Sequence, residues 1–187
     1  MNSGISDNFV MAKGRRTHYL QAGDGPPIVL IHGAGPGASA RTGWINTIPA
    51  LARRFRVIAI DTLGFGLTDK PTDIMYTDQA SVNHLADFLD ALCLDKVSLC
   101  GNSRGAYIGI RYMLDNPHRV DRILMISSAT IATAMGLVWR LDQLAGLKAL
   151  EAYDGTPAAM RRFLELIIND HSRITDAMVA DRVRNAS

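Results

Sequence analysis

The chain has 187 residues, 48% of them hydrophobic, and carries a formal net charge of +2 at pH 7. These values exclude a disordered or fibrous chain and predict one globular domain. Charged residues are spread along the sequence, and the longest apolar runs are far shorter than the roughly 18 residues that a membrane helix requires. We therefore expect neither a nucleic-acid partner nor a membrane partner.

The first residues and the cysteines bear on location and metal binding. The stretch 1–8 lacks a basic start followed by an apolar run, so we expect no secretory signal and a cytoplasmic protein. The two cysteines, Cys93 and Cys100, are predicted to be buried packing residues. Their spacing fits neither a metal site nor a disulfide framework, and we predict no metal and no cofactor.

Apolar strand patterns and amphipathic helix patterns alternate through the first 126 residues. Strands are predicted at 17–21, 27–31, 55–60, 96–100 and 122–126, and helices at 44–54, 78–92 and 104–116. This alternation predicts an α/β protein with a mostly parallel sheet and right-handed crossovers. We assign this sheet region to residues 1–128.

The pattern changes in residues 129–187. Helices are predicted in succession at 135–150, 157–169 and 175–183, with Gly155-Thr156-Pro157 as a break. Large apolar side chains in this segment are expected to face the sheet region or an apolar pocket: Trp139, Leu144, Leu147, Phe163 and Ile167.

The strand at 96–100 runs directly into Gly101-Asn102-Ser103-Arg104-Gly105 and then into a helix. A serine on a sharp strand-to-helix turn adopts a strained backbone, and glycines on both sides let strand and helix approach each other. Ser103 is therefore the candidate nucleophile. The alternative is that it only occupies a tight turn or caps the helix.

A second glycine-rich segment, 32–38, follows the buried strand 27–31. In serine acyl chemistry, the oxyanion is held by two backbone N–H groups, one after the nucleophile and one from a neighbouring glycine-rich loop. Arg104 and Ala34 are the residues predicted to supply them. The alternative is that the glycines only make a turn.

With these motifs, the chain resembles the α/β-hydrolase superfamily and, within it, the meta-cleavage product hydrolases, which cleave C–C bonds in aromatic-ring degradation. The matching stretches are 32–38, 43–46, 61–71, 101–105 and 174–176, together with Arg182. The resemblance implies an α/β-hydrolase fold in which residues 129–187 form part of a helical lid. It also implies that the C-terminal strands of the family's sheet are absent from this chain.

The resemblance further implies hydrolysis of a small molecule, a 2-hydroxy-6-oxo-dienoate ring-fission product, through Ser103 and the oxyanion hole. The substrate-binding residues that it implies are Gly35, Asn46, Asn102, Ser172 and Arg182. A guanidinium suits the substrate carboxylate because its planar fork binds both oxygens. Arg182 as a solvated helix charge and Asn46 as a helix-start residue are the structural alternatives. Where the family usually has Met or Leu after the nucleophile, this chain has Arg104.

An activated serine requires a general base, and the histidines that follow Ser103 are His118 and His171. Neither follows a late strand, where the family's histidine lies. We therefore expect the chain to be the N-terminal part of a longer hydrolase and to be inactive alone. His32 is predicted to brace a loop, and Asp61 to hold a turn.

Two further hypotheses remain open from the sequence. The first is a carboxylesterase or lactonase of the same fold, which would use Ser103 without needing Arg182. The second is a non-catalytic chain that kept the pocket. Turnover of a dienoate rather than an ester would distinguish them, and self-association into a homo-oligomer is compatible with all of them.

Overall fold

The computed structural model describes residues 4–137 and 145–186. Six strands form one sheet: β1 (Ser6–Ala12), β2 (Arg15–Ala22), β3 (Pro27–Ile31), β4 (Arg56–Ile60), β5 (Val97–Asn102) and β6 (Val120–Ile126). Their spatial order is β1-β2-β4-β3-β5-β6. The β1/β2 and β2/β4 pairs are antiparallel, and the other pairs are parallel. Because β3 and β5 are parallel neighbours, with Ile31 opposite Gly101, the loops that follow them begin side by side.

Eight helices accompany the sheet in these residues: α1 (Ala40–Trp44), α2 (Ile48–Leu51), α3 (Asp78–Ala91), α4 (Arg104–Asp115), α5 (Ala129–Ala134), α6 (Ala145–Glu151), α7 (Pro157–Ile167) and α8 (Asp176–Ala186). Short 3-10 turns lie at Pro117–Arg119 and His171–Arg173.

The sheet carries a hydrophobic core on each face because successive strand side chains point in opposite directions. On one face, Ile31 packs in a cluster with Phe88 of α3 and Ile108 of α4. On the other face, Leu30 belongs to a cluster that includes Trp44 of α1 and Ile48 of α2. A third cluster joins α7 and α8, and its members are Met160, Phe163, Leu164, Ile174 and Val179.

The predicted strands and the helices α3 and α4 are confirmed, with their ends shifted by a few residues at most. The single helix predicted at 44–54 is wrong, since α1 and α2 are separate. Ser39 and Thr42 form a capping box that starts α1 early. Pro49 has no N–H to donate to the carbonyl of Ile45, so a continuous helix would lose that bond.

Strand β1 was not predicted from the sequence. It pairs with β2 through a tight turn at Lys13 and Gly14, which have φ values of 47° and 83°. A two-residue turn with both φ values positive is typical of a β-hairpin, and glycine at the second position was the available signal.

The helix predicted at 135–150 is only partly present. Helix α5 ends at Ala134, and Gly136, with a φ of 70°, terminates it. The stretch 138–144 lies outside the described residues, and α6 follows from Ala145.

Cys100 is buried as predicted, but Cys93 is exposed, which corrects its assignment to the core. It follows α3 in a left-handed conformation with a φ of 52°, at the surface end of that helix. Among the helices in the described ranges, none is long and apolar enough to span a bilayer.

Candidate active site

Ser103 occupies the junction between β5 and α4 in a strained backbone conformation, with φ of 53° and ψ of −118°. A non-glycine residue adopts such values only where its surroundings enforce them. Here the Ser103 N–H donates to the carbonyl of Ile126 at 2.8 Å, and the Ser103 carbonyl accepts from the N–H of Ala106 at 3.1 Å. The Ser103 hydroxyl makes no capping hydrogen bond to α4, so the helix-cap alternative is not supported.

The glycines around Ser103 permit close backbone contacts that a side chain would block. A Cβ on Gly101 would lie 2.4 Å from the carbonyl oxygen of Gly105, and a Cβ on Gly105 would lie 2.2 Å from that of Ile31. A Cβ on Gly33 would lie 3.2 Å from the Cβ of Ser103. The first residues of α4 therefore pack on the end of β3, and the glycine-rich loop touches the candidate nucleophile.

The two predicted oxyanion donors lie beside the serine. Ala34 and Arg104 both line the cleft that contains Ser103. The N–H of Arg104 belongs to the first turn of α4, where helix N–H groups have no intrahelical acceptor and the helix dipole favours negative charge. Ala34 and Arg104 thus lie in the same cleft as Ser103, and their role as oxyanion donors stays a prediction.

This cleft has a volume of about 840 Å³, and its lining is part polar and part apolar. Asp78, Arg104 and Tyr107 contribute polar groups, whereas Leu150, Phe163 and Ile167 contribute apolar ones from α6 and α7. The expectation that Phe163 and Ile167 face a pocket is confirmed. Trp139, Leu144 and the side chain of Leu147 lie outside what the structure describes.

The side chain of Arg104 is fixed against the start of α3. Its Nε donates to Asp78 Oδ1 at 3.0 Å and its Nη2 donates to Ser81 Oγ at 2.9 Å. The Arg104 side chain is only 20% exposed. A cation thus stands on the cleft wall, one residue from the candidate nucleophile.

Asp61 has a structural role, as the sequence predicted. Its carboxylate accepts from the N–H groups of Ala40 at 2.6 Å and Leu67 at 2.9 Å, and from His18 Nδ1 at 2.7 Å. Burial alone would raise the pKa of Asp61, but these hydrogen bonds hold it below the usual value. His18, which no motif singled out, also bonds to Asp7, and the two carboxylates raise the pKa of His18 despite its burial.

His32 braces the glycine-rich loop, again as predicted. Its Nδ1 donates to the carbonyl of Gly33 at 2.7 Å, and its Nε2 accepts from the N–H of Thr62 at 3.1 Å, which assigns a neutral tautomer. Burial lowers the pKa of His32. Because both ring nitrogens are occupied, His32 is not placed to serve as the base.

The other histidines of the described residues are no better placed than His32, since none of them bonds to Ser103. His84 is buried against Thr17 at 2.8 Å, and burial lowers its pKa to about 4. His171 is exposed and bonds to the carbonyl of Glu165, and His118 is exposed in the turn after α4. The part of the chain that the structure describes therefore places no general base beside the serine.

The residues implied for substrate binding separate into two groups. Asn102 lines the cleft, and its Nδ2 donates to the carbonyl of Ile126 at 3.3 Å. Arg182 is not among the lining residues, and its Nη1 donates to the carbonyl of Pro36 at 3.3 Å. Gly35 borders an adjacent pocket of about 480 Å³.

The last two implied residues lie at the surface. Asn46 is exposed in the turn between α1 and α2, and Ser172 is exposed with its hydroxyl donating to Asp170 Oδ1 at 2.6 Å. The cleft thus brings together Ser103, Ala34, Arg104 and Asn102, without Asn46, Ser172 or Arg182.

Comparison with known families decides the fold assignment. Residues 26–180 match the model of the alpha/beta hydrolase fold family, which is most of the chain. The chain belongs to the α/β-hydrolase family. Its six described strands form one sheet in which β2 pairs antiparallel with β4, and Ser103 follows β5.

Similar proteins carry names within this family. The chain is 40% identical over 186 residues to a 2-hydroxy-6-oxo-6-(2'-aminophenyl)hexa-2,4-dienoic acid hydrolase of Metapseudomonas resinovorans, covering 99% of this chain and 61% of the relative. It is 37% identical over 176 residues to a 2-hydroxy-6-oxo-2,4-heptadienoate hydrolase of Pseudomonas putida, covering 94% and 61%.

A solved structure agrees with these relatives. A serine-to-alanine variant of the meta-cleavage product hydrolase from Pseudomonas fluorescens IP01, complexed with acetates, matches with a TM-score of 0.85 and 36% identity. The match covers 99% of this chain and 65% of that one. The α/β-hydrolase described here therefore resembles meta-cleavage product hydrolases, and it spans about three fifths of the length of the curated relatives it matches.

Proposed function

We propose that this α/β-hydrolase chain carries the nucleophile and oxyanion hole of a hydrolase that cleaves a C–C bond in a 2-hydroxy-6-oxo-dienoate. Ser103 is the proposed nucleophile, and the N–H groups of Ala34 and Arg104 are the proposed oxyanion donors. The observation that carries the proposal is the strained backbone of Ser103, whose hydroxyl makes no capping bond to α4 and which lies in a cleft that Ala34 and Arg104 also line.

The chemistry assigns one task to each group. Ser103 Oγ loses its proton to a base and attacks the C6 ketone, and the resulting oxyanion is stabilised by the two N–H groups. When the oxyanion collapses, the C5–C6 bond breaks and its electron pair passes into the dienoate part, which takes up a proton. Water then attacks the acyl group on Ser103 and releases a carboxylic acid.

The relatives' names support this reaction over others of the same fold. Both curated relatives are named as hydrolases of 2-hydroxy-6-oxo-dienoates, and the match to the first of them covers 99% of this chain. The apolar lining residues Leu150, Phe163 and Ile167 suit the hydrocarbon part of the ketone substituent, whether aromatic or alkyl.

The experiment uses the chain fused to the part of the Metapseudomonas resinovorans relative that it does not cover. The fusion should bleach the yellow colour of a ring-fission dienoate, and Ser103→Ala should reduce the rate by about three orders of magnitude or more. Ser98→Ala, a half-buried serine earlier in β5, is the matched control and should keep the rate. A Ser103→Ala fusion that retains full activity would disprove the nucleophile assignment.

One observation favours the ester hypothesis as a second candidate. Arg182, which a dienoate carboxylate is expected to need, contacts the carbonyl of Pro36 and does not line the cleft. If the fusion hydrolyses a nitrophenyl ester faster than a dienoate, and Arg182→Ala changes neither rate, the carboxylesterase assignment replaces the first one.

A further inference from the structure

The guanidinium of Arg104 is a fixed cation on the wall of the proposed active-site cleft. Two hydrogen bonds, to Asp78 at 3.0 Å and to Ser81 at 2.9 Å, hold it in one orientation. With 20% of its side chain exposed, Arg104 is far less hydrated than its partner Asp78, whose side chain is 46% exposed. Asp78 lines the same cleft but is the more exposed partner, so water screens its carboxylate more strongly than it screens the guanidinium.

The guanidinium also has donors to spare. Arginine has five N–H groups, and Arg104 uses one on Nε and one on Nη2, which leaves three. These three have no protein acceptor within residues 4–137 and 145–186. None of the Arg104 nitrogens is among the buried side-chain atoms that lack a partner in the described residues, so water reaches these donors. A carboxylate on a bound molecule would replace that water with charge-assisted hydrogen bonds.

The position of Arg104 indicates which part of a substrate it would meet. Arg104 lines the cleft directly after Ser103, whereas Arg182 contacts the carbonyl of Pro36 outside the lining residues. Arg104 lines the same cleft as Leu150, Phe163 and Ile167, which are the side chains proposed to contact the ketone substituent. Under the proposed function Arg104 therefore meets the ketone part of the substrate, which becomes the acyl group on Ser103.

We propose that the Arg104 side chain binds a carboxylate on the acyl part of the substrate. The α/β-hydrolase would then select ring-fission products whose ketone substituent carries a second acid group. This specificity rests on the proposed function, since it assigns the acyl group to Ser103. A bidentate contact would use the free Nη1 and Nη2 donors, and Asp78 and Ser81 would keep the fork aimed at the cleft.

Equilibrium binding tests the proposal without requiring turnover. Calorimetry on the 187-residue chain compares glutarate with pentanoate, which share a five-carbon chain and differ by one carboxylate. Glutarate should bind at least about tenfold more tightly, and Arg104→Met should remove that preference, a change of about 1.4 kcal/mol. Arg104→Lys should keep part of it, because an ammonium retains the charge but not the fork.

Two control variants test whether the preference for glutarate depends on Arg104 and not on another cation. Arg111→Met removes a cation from the same helix, where Arg111 is 42% exposed and 3.9 Å from Asp115, and should keep the full preference. Arg182→Met should keep it as well. Thermal unfolding of each variant distinguishes lost binding from lost folding, and Arg104→Lys gives the comparison if Arg104→Met does not fold.

The remaining outcomes would overturn the proposal. Equal binding of glutarate and pentanoate, or binding of neither, shows that Arg104 creates no acid subsite. If Arg182→Met loses the preference for glutarate and Arg104→Met keeps it, the second carboxylate is bound with the dienoate part of the substrate and not with the acyl part. Ser103→Ala should retain the preference, so failure of the nucleophile assignment remains distinguishable from failure of this inference.

Discussion

Replacing Gly105 with alanine is the most direct test of how the elbow is packed. An alanine Cβ would lie 2.2 Å from the carbonyl oxygen of Ile31 and 2.6 Å from that of His32. Both are backbone atoms, so α4 must move away from β3 as a unit. Overpacking of this kind costs about 1–3 kcal/mol or more, and helix propensity returns at most about 1 kcal/mol, so we expect a net loss of about 2 kcal/mol.

The same helix provides a matched control, Gly109→Ala. Its nearest neighbours would be side-chain ends, Ile123 Cδ1 at 3.4 Å and Ile31 Cδ1 at 3.6 Å, which can move. We expect Gly109→Ala to range from neutral to about 1 kcal/mol more stable. Urea unfolding followed by circular dichroism measures both variants, with an unchanged slope as the check on comparison. Equal stability of the two variants would refute the close-packing account.

Three further predictions concern activity, pH and association. The 187-residue chain should hydrolyse a nitrophenyl ester no faster than its Ser103→Ala variant, because the described residues place no base beside the serine. A Ser103-dependent rate in the ordinary enzyme range would contradict this prediction. Since the pKa of His18 is raised in the fold, its charged form contributes stability that is fully present below about pH 6.5 and declines as pH rises through the higher folded value. Urea midpoints between pH 5 and 9 should show that decline, and His18→Gln should flatten it. Leu124 and Met125 of β6 are 58% and 46% exposed, so light scattering should detect self-association that Leu124→Lys reduces, whereas a monodisperse monomer would count against it.

Most of the features that could be predicted from the sequence depend on residues that are close together in the chain. The elbow around Ser103 could be recognised from five consecutive residues, because Gly101 is required by close contacts with Gly105 and Ala106, four and five positions later. Phe163 and Ile167 were expected to face the sheet region or an apolar pocket, and both line the cleft from α7, where they are four positions apart. In each case residues close together in the sequence determine the local structure.

Contacts between distant residues were the part that the sequence did not reveal. Arg104 bonds to Asp78, 26 positions earlier, and His18 bonds to Asp61, 43 positions later. Neither pair forms a motif, and each depends on how the strands are ordered in the sheet. The surface position of Asn46 likewise depends on the break between α1 and α2, which Pro49 and the early start of α1 produce.

The hydrogen bond from the Ser103 N–H to the carbonyl of Ile126 has a consequence for the dynamics of the nucleophile. Strand β6 pairs only with β5 in the described sheet, and edge strands of that kind open locally at a lower free energy than central ones. When the end of β6 frays, Ser103 loses the acceptor that helps to hold its left-handed backbone. The amide of Ser103 should therefore exchange with deuterium faster than amides of central β3. Its protection factor would report how often the reactive geometry relaxes.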